Sequence, residues 1–285
     1  MPRLFLGLPA PAKLNLFLHV VGRRADGYHE LQSVFVPIEL ADTLDFESRD
    51  DGAIERTGDV VGDVERDLAV RAARLLQAES ATALGVSIHV EKRIPAGSGM
   101  GGGSSDAATT LIALNRLWNL HWTRERLAAL ALRLGADVPF FLGPGPAFVE
   151  GIGERIAPID WPRSHFAVVY PQVAVSTAEI FADPGLTRHA KLTTMPAFSA
   201  ERSAFPRALF GANDLEPVVR RRAPAVDAAI AHLAHYGPAR MTGSGSAVFV
   251  PVESEERARA AIADLPDGWT GWSVQSLPEH PLAVW

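Results

Sequence analysis

The residues best suited to chemistry lie in one glycine-rich stretch, residues 94–106, which reads Ile-Pro-Ala-Gly-Ser-Gly-Met-Gly-Gly-Gly-Ser-Ser-Asp. Glycine tolerates positive φ angles and lets a backbone approach another atom without an intervening Cβ. A helix that begins in such a loop directs free N–H groups and the positive end of its dipole towards the loop, which favours phosphate. We therefore predict a phosphate-binding loop made of Pro95, Gly97, Gly99, Met100, Gly101, Gly102, Gly103, Ser104 and Ser105.

Three other interpretations of this stretch are weaker. Ser104, Ser105 and Asp106 are good N-cap residues, but a helix cap needs one such residue and does not need five glycines. The dinucleotide pattern G-x-G-x-x-G is matched by count, yet a second helix is predicted to follow the first with no strand between them. The P-loop of common NTPases requires a lysine after its last glycine, and none follows Gly103.

A lysine and an aspartate far apart in the chain are candidates for the reacting groups. Lys13 stands at the start of an alternating strand, where a water-facing lysine is the ordinary interpretation. Asp137 lies among apolar residues just after a helix, where a carboxylate either has a partner or has a raised pKa. A pair of the two could be a plain buried salt bridge. It could equally serve a kinase, with the carboxylate at the attacking hydroxyl and the cation near the transferring phosphoryl group.

A further glycine-containing stretch, residues 240–249, reads Arg-Met-Thr-Gly-Ser-Gly-Ser-Ala-Val-Phe. This composition is typical of a tight hairpin turn. The alternative is a second approach of the backbone to phosphates or to a substrate. The residues by themselves leave both interpretations open.

Composition limits the classes of protein to consider. The chain has 285 residues, 47% of them hydrophobic, which suits one large or two modest domains. Its formal charge of −6 argues against a nucleic-acid partner. There are no cysteines, so disulfides and thiolate metal sites are excluded. No apolar run reaches the roughly 18 residues of a membrane span, and Pro9 and Pro11 interrupt the apolar start, so we expect a cytoplasmic protein without a membrane partner.

The hydrophobic pattern predicts an α+β chain in two parts, residues 1–160 and 161–285. The second part is expected to contain mostly antiparallel strands. The predicted elements of the first part are strands at 14–20, 33–40, 43–47 and 86–90, helices at 67–79, 107–120 and 123–134, and a hairpin at 147–159. Those of the second part are strands at 166–170 and 272–276, a strand pair around 242–246, and helices at 177–182, 214–222, 225–235 and 254–264.

The glycine loop resembles the phosphate loop of the GHMP kinases, a family of small-molecule kinases that act on galactose, homoserine, mevalonate and phosphomevalonate. Five other motifs occur in the order of one branch of that family, which acts on 4-diphosphocytidyl-2-C-methyl-D-erythritol. Asp-Gly-Tyr-His beside Pro-Ala-Lys-Leu-Asn marks this branch, and the resemblance runs from Pro9 to about Phe249. These motifs are residues 11–16, 25–33, 135–140, 213–214 and 243–245.

The resemblance implies a fold and a reaction. The fold is the two-domain GHMP kinase fold, whose N-terminal domain is similar to domain 2 of ribosomal protein S5 and contains a left-handed βαβ crossover. The reaction is the ATP-dependent phosphorylation of the 2-hydroxyl of the methylerythritol unit, a step of the non-mevalonate isoprenoid route. Mg²⁺ is expected because the triphosphate charge must be neutralised.

The resemblance also implies roles for individual residues. Asp137 would accept the proton of the hydroxyl, and Lys13 would orient that hydroxyl and stabilise charge. The glycine loop would wrap the ATP phosphates, and Ser105 would help to hold Mg²⁺. The substrate-binding residues would be Asn15 for the erythritol hydroxyls, Tyr28, His29 and Phe181 for the two faces and the edge of cytosine, Thr177 in the Phe181 segment, and Asp137 itself.

Three features depart from the branch. Asp67 stands where an asparagine would contact adenine, and a carboxylate cannot donate as an amide does. Met100 replaces the usual leucine, a mild change. Residues 184–206 match poorly, and we assign them no role.

Two alternative functions stay open at this point. One is a GHMP kinase that acts on mevalonate, homoserine or galactose, although those substrates offer no pyrimidine for Tyr28 and His29 to bind. The other is a non-catalytic member that binds a nucleotide, a sugar or another protein. For the leading hypothesis the partner is a small molecule, and the protein is a monomer or a weak homodimer.

Overall fold

The first sheet contains two strands of unusual length. The computed structural model describes residues 3–285, and its β1 (Leu4–Arg23) pairs antiparallel with β2 (His29–Arg49) along most of both strands. The two separate strands predicted within β2 are therefore one continuous strand. The sheet runs in the order β3-β4-β2-β5-β6, with β1 on β2. Its other strands are β3 (Ile54–Gly58), β4 (Gly85–Glu91), β5 (Ala147–Gly151) and β6 (Arg155–Pro158).

Helices cover this sheet on one face. β3 and β4 are parallel neighbours joined through α1 (Leu68–Ser80), which gives a β-α-β unit. α2 (Gly102–Leu117) packs beside α1, and α3 (Arg124–Ala131) follows it. A short 3₁₀ helix, Val138–Leu142, comes after α3 and contributes Phe140 and Phe141 to the same hydrophobic core. The handedness of the β-α-β crossover stays a prediction.

The predicted start of α2 is wrong by about five residues. The helix begins at Gly102, with Gly101 as its N-cap at φ 77°, a conformation that favours glycine. Ser104, Ser105 and Asp106 therefore lie inside the first turns, and none of them is the cap. Glycine is a poor helix former, so propensity alone misplaced the boundary, whereas phosphate-binding loops place glycines at this position.

The second sheet is antiparallel and runs in the order β10-β7-β9-β8. α7 and α8 pack on it, which confirms the predicted α+β class. Its strands are β7 (His165–Tyr170), β8 (Arg240–Met241), β9 (Val248–Val252) and β10 (Thr270–Gln275). The helices of this half are α4 (Thr177–Ala182), α5 (Met195–Glu201), α6 (Glu216–Arg222), α7 (Pro224–Leu233) and α8 (Glu255–Ala261).

The two sheets share a hydrophobic core. One buried cluster includes Leu14 and Phe17 of β1 together with Phe166 of β7 and Phe249 of β9. The alternating pattern of β1 is typical of a strand with one face in water, but β1 is covered on both faces because the second half of the chain lies across it. No helix among residues 3–285 has the length and apolar character to span a membrane. The domain boundary at residue 160 stays a prediction.

Candidate active site

Lys13 is buried in the centre of the site. Its side chain is 3% exposed, although the alternating pattern alone favoured a water-facing lysine. Nζ donates to Asn15 Oδ1 at 2.5 Å and to the Gly99 carbonyl at 2.7 Å, and it lies 3.7 Å from Asp137 Oδ2. The side chain of Asp137 is 36% exposed, so this pair is open to solvent on the carboxylate side. Burial lowers the pKa of Lys13 from its ordinary value, and the Asp137 carboxylate opposes that shift.

Asn15 positions Lys13 from the same strand. The two residues are on the same face of β1 because side chains alternate along a strand. Asn15 Nδ2 donates to Ser33 Oγ at 2.9 Å, and its backbone N–H donates to Thr242 Oγ1 at 2.9 Å. In the structure the side-chain oxygen of Asn15 accepts from Lys13, so Asn15 holds the lysine. Its predicted contact with substrate hydroxyls stays a prediction.

The glycine loop packs directly against this strand and against the second glycine-containing stretch. The Lys13 backbone N–H donates to the Met100 carbonyl at 2.9 Å. Gly99 has φ 79°, and a Cβ at this position would lie 2.3 Å from the Thr242 carbonyl oxygen. The stretch at residues 240–249 forms the turn between β8 and β9, and its Gly243 approaches the Gly99 carbonyl closely.

Three adjoining cavities lie around these contacts. The central one, about 250 Å³, is lined by Lys13, Asn15 and Asp137. A second, about 340 Å³, lies on the other side of the glycine loop and shares Gly97, Gly99 and Gly101 with the first. A third, about 740 Å³, shares Asp137, Thr177 and Phe181 with the first and is also lined by Tyr28 and His29. The central cavity, with the Lys13–Asp137 pair, therefore adjoins both of the others.

The predicted loop residues divide between the cavity and the interior. Ser104 lines both the second and the third cavity, whereas the side chains of Met100 and Ser105 are fully buried. The Ser105 hydroxyl has no hydrogen-bond partner within residues 3–285. The predicted metal ligand Ser105 is therefore packed inside, and Ser104 is the serine on the cavity surface. The loop residues that line the second cavity are Pro95, Gly97, Gly99, Gly101, Gly102, Gly103 and Ser104.

Sequence analysis missed a charged cluster at the base of the loop. Lys92 Nζ bonds Asp42 Oδ2 at 2.5 Å and Asp106 Oδ2 at 2.6 Å. Asp42 is fully buried and accepts the backbone N–H groups of Arg93 and Ile94, so it fixes the chain where it enters the loop. Burial raises the pKa of Asp106 to about 7, against the opposing effect of Lys92. The only available signal was a lysine at the end of a strand, which usually faces water.

The second cavity contains a side chain whose chemistry fits the Mg²⁺ ion of a bound magnesium–ATP complex. Asp106 lines it, and Asp106 Oδ1 is buried without a hydrogen-bond partner in the described part of the chain. Magnesium ions at phosphates typically use one or two protein carboxylates, with phosphate and water oxygens as the remaining ligands. One free carboxylate oxygen beside the loop therefore fits Mg²⁺ in this chemistry.

Asp67 lines the same cavity. It occupies the position at which an asparagine was expected to contact adenine. Its Oδ1 caps α1 by accepting the Ala69 N–H at 2.8 Å, and its Oδ2 accepts from Arg56 Nε at 3.1 Å. Both oxygens are thus engaged within the protein. The acid in place of asparagine is explained locally by this arginine, whose side chain is only 1% exposed.

The residues expected to bind the pyrimidine lie near one another, but their arrangement differs from the predicted one. The rings of His29 and Phe181 stack on each other, with centroids 4.9 Å apart and planes at 27°. Tyr28 is 60% exposed at the cavity mouth. His29 thus covers one face of Phe181, the residue predicted to cover one face of a base. Arg188, from the segment to which no role was assigned, donates to His29 Nε2 at 3.3 Å.

Family comparisons bear directly on this geometry. The family model for the GHMP kinases N terminal domain matches residues 67–145, and the model for GHMP kinases C terminal matches residues 200–270. The chain is 52% identical over 278 residues to 4-diphosphocytidyl-2-C-methyl-D-erythritol kinase of Ralstonia nicotianae, covering 97% of this chain and 95% of the relative. The chain belongs to the GHMP kinases. The relative of the same name from Methylibium petroleiphilum is 53% identical over 282 residues, covering 98% of this chain and 96% of the relative.

Solved GHMP kinase structures agree in fold. The crystal structure of 4-(cytidine 5'-diphospho)-2C-methyl-D-erythritol kinase matches with a TM-score of 0.82 and 35% identity, over 97% of this chain and 99% of that chain. A homoserine kinase from Cytophaga hutchinsonii matches with a TM-score of 0.70 at 16% identity, over 97% and 94%, which shows the fold alone. The chain is an enzyme, a small-molecule GHMP kinase of the diphosphocytidyl-methylerythritol branch, and this family uses ATP.

Proposed function

We propose that the chain transfers the γ-phosphoryl group of ATP to the 2-hydroxyl of 4-diphosphocytidyl-2-C-methyl-D-erythritol, a step in isoprenoid precursor synthesis. The observation that carries the proposal is the Lys13–Asp137 pair, which lines the cavity between the glycine loop and the aromatic residues. Two relatives named 4-diphosphocytidyl-2-C-methyl-D-erythritol kinase, at 52% and 53% sequence identity, support the choice of substrate.

The mechanism depends on the positions of charge. ATP would lie in the second cavity with its phosphates on the N–H groups at the start of α2. The 2-hydroxyl would lie between Lys13 and Asp137, with its oxygen attacking the γ-phosphorus while the bond to the ADP oxygen breaks. Asp137 would orient the hydroxyl and accept its proton, and the Lys13 cation would stabilise charge on the transferring group.

Mg²⁺ would be held at the free Asp106 Oδ1, near Ser104. When bound, it neutralises triphosphate charge and polarises the phosphoryl oxygens. Lys92 and Asp42 hold Asp106 in place for this role through the two ion pairs of Lys92. Asp42 also fixes the chain where it enters the glycine loop, which holds the loop beside the Asp106 carboxylate.

Release of ADP from ATP and Mg²⁺ tests the proposal directly. Four alcohols are compared side by side: the diphosphocytidyl-methylerythritol, mevalonate, homoserine and galactose. We expect turnover with the cytidyl substrate alone. Turnover of a plain alcohol in its place would overturn the substrate assignment, and inactivity with all four would favour the non-catalytic alternative.

Replacement of Tyr28 by alanine is expected to raise the KM for the cytidyl substrate roughly tenfold, because stacking of an aromatic ring on a base stabilises binding by about 1–3 kcal/mol. Since Tyr28 is 60% exposed, the change should leave the unfolding temperature nearly unaltered. Steady-state kinetics with each substrate varied in turn measure the effect, with Tyr28→Phe as the control that retains the ring. An unchanged KM in the alanine variant would remove Tyr28 from the site.

The pH dependence of kcat/KM should follow the protonation state of Lys13. Because burial lowers the pKa of Lys13, its cation is lost at a lower pH than for an ordinary lysine, so activity should fall as the pH rises through that lowered pKa. In Lys13→Arg the group stays charged to a pH above about 12, so any residual activity should lack this alkaline limb. An alkaline limb common to both enzymes would assign it to another group.

A further inference from the structure

Arg188 contacts two of the three aromatic residues of the third cavity, His29 and Phe181, although it belongs to neither of their elements. Its Nε donates to His29 Nε2 at 3.3 Å. Its Nη2 donates to the carbonyls of Phe181 at 3.1 Å and Asp183 at 2.8 Å, at the C-terminal end of α4. The guanidinium thus joins the start of β2 to the end of α4, on the two sides of the His29–Phe181 stack.

The chemistry of the two side chains determines the direction of the bond to His29. An arginine in a protein keeps its proton and has no acceptor atom, so Arg188 Nε must be the donor. His29 Nε2 must then be the acceptor and carry no proton. A neutral imidazole has one proton, which places it on Nδ1.

We infer that Arg188 is a positioning residue that holds His29 in the Nδ1–H tautomer, so that the ring offers a hydrogen-bond donor to an acceptor atom on the edge of the substrate's pyrimidine. Cytosine carries two such acceptors, N3 and O2. No other hydrogen bond to the His29 ring is made within residues 3–285, which leaves Nδ1–H for a ligand. This inference rests on the proposed function, since it assumes that the substrate carries a pyrimidine.

The charges around His29 agree with a neutral ring. Burial lowers the pKa of His29, and the cations Arg188 and Arg23 lower it further. A doubly protonated ring would also direct an N–H at the Arg188 N–H. The ring therefore keeps one proton at neutral pH, and the arginine decides which nitrogen carries it.

Nitrogen-15 NMR of the full-length protein tests the inference, with His29→Gln used to assign the His29 signals. In the wild type we expect Nδ1 to have the chemical shift of a protonated ring nitrogen and Nε2 that of an unprotonated one. Arg188→Met keeps an unbranched apolar stem in place of the arginine stem and removes its donors, so the Nε2–H form should become populated. Arg23→Met is the matched control, because it removes a nearby cation that makes no bond to the ring, and the tautomer should be unchanged.

Kinetics give the second readout. Arg188→Met should raise the KM for the cytidyl substrate roughly three- to tenfold, the effect of one misdirected hydrogen bond, while kcat and the KM for ATP change less than about threefold. A wild-type spectrum with the proton on Nε2 would overturn the inference and leave the proposed function intact, even if Arg188→Met failed to fold. An Nδ1–H ring in an enzyme that does not turn over the cytidyl substrate would overturn the proposed function, and with it the reading of a base by His29.

Discussion

Substitution of Asp137 by alanine should lower kcat on the order of 10²–10⁴, the usual range for a positioned acid–base group, with little change in ATP binding. The reason is that the carboxylate is the group 3.7 Å from Lys13 Nζ that is still reachable from the cavity. Single-turnover kinetics with saturating ATP isolate this step, and titration with a non-hydrolysable ATP analogue measures binding. Full activity in the alanine variant would exclude Asp137 from the reaction.

Asp137→Asn separates two possible roles of the carboxylate. The asparagine keeps an oxygen that can orient the hydroxyl, but it cannot accept a proton. If the asparagine variant stays within about tenfold of the wild type while alanine does not, Asp137 chiefly orients the hydroxyl, which is compatible with a loose phosphoryl-transfer transition state. Equal losses in both variants would assign the effect to the negative charge.

Gly99→Ala should have the second large effect, on both stability and ATP use. The residue has φ 79°, and the added Cβ would lie 2.3 Å from the Thr242 carbonyl oxygen and 3.0 Å from Gly245 N. The glycine loop would have to move away from the β8–β9 turn, and the Gly99 carbonyl that holds Lys13 would move with it. We expect a loss of roughly 1–3 kcal/mol in the free energy of unfolding and at least a tenfold rise in the KM for ATP.

Gly97→Ala is the matched control for this experiment. Gly97 also has a positive φ, 68°, but a Cβ there would meet nothing within 4 Å. The Gly97→Ala substitution therefore measures the effect of backbone strain alone, with no collision of the added Cβ. The control is read by denaturant unfolding, because Gly97 also lines the cavity proposed for ATP. An equal loss in the free energy of unfolding for Gly97→Ala and Gly99→Ala would contradict the account.

The local parts of the fold were predictable from the sequence. The hairpin at 147–159 and the helix at 177–182 were predicted correctly, because each is encoded by a short pattern between turn residues. These features depend on neighbours in sequence, which periodicity records.

The missed parts depend on residues distant in sequence. Asn15 bonds Thr242, 227 residues further along the chain, and Lys13 bonds Gly99, 86 residues further along, so no local pattern could reveal their burial. Arg188 contacts His29 across 159 residues from a segment that matched the family poorly. Motif resemblance, unlike periodicity, selected residues that the structure brings together around adjoining cavities, and their roles stay predictions. It gave no account of the Arg56 partner of Asp67.

The contacts between β1 and the second half of the chain have a consequence for recombination between family members. Leu18 bonds Ala212 and Asp214 through backbone atoms alone, with distances of 2.9 and 2.8 Å. These two bonds depend on the path of the chain and not on side-chain identity, whereas the packing of Leu14 and Phe17 against β7 and β9 depends on the side chains. In a chimera joined near residue 160 we therefore expect the two backbone bonds of Leu18 to form with any parent, while its stability should depend on whether the parents' side chains fit in the core shared by β1, β7 and β9.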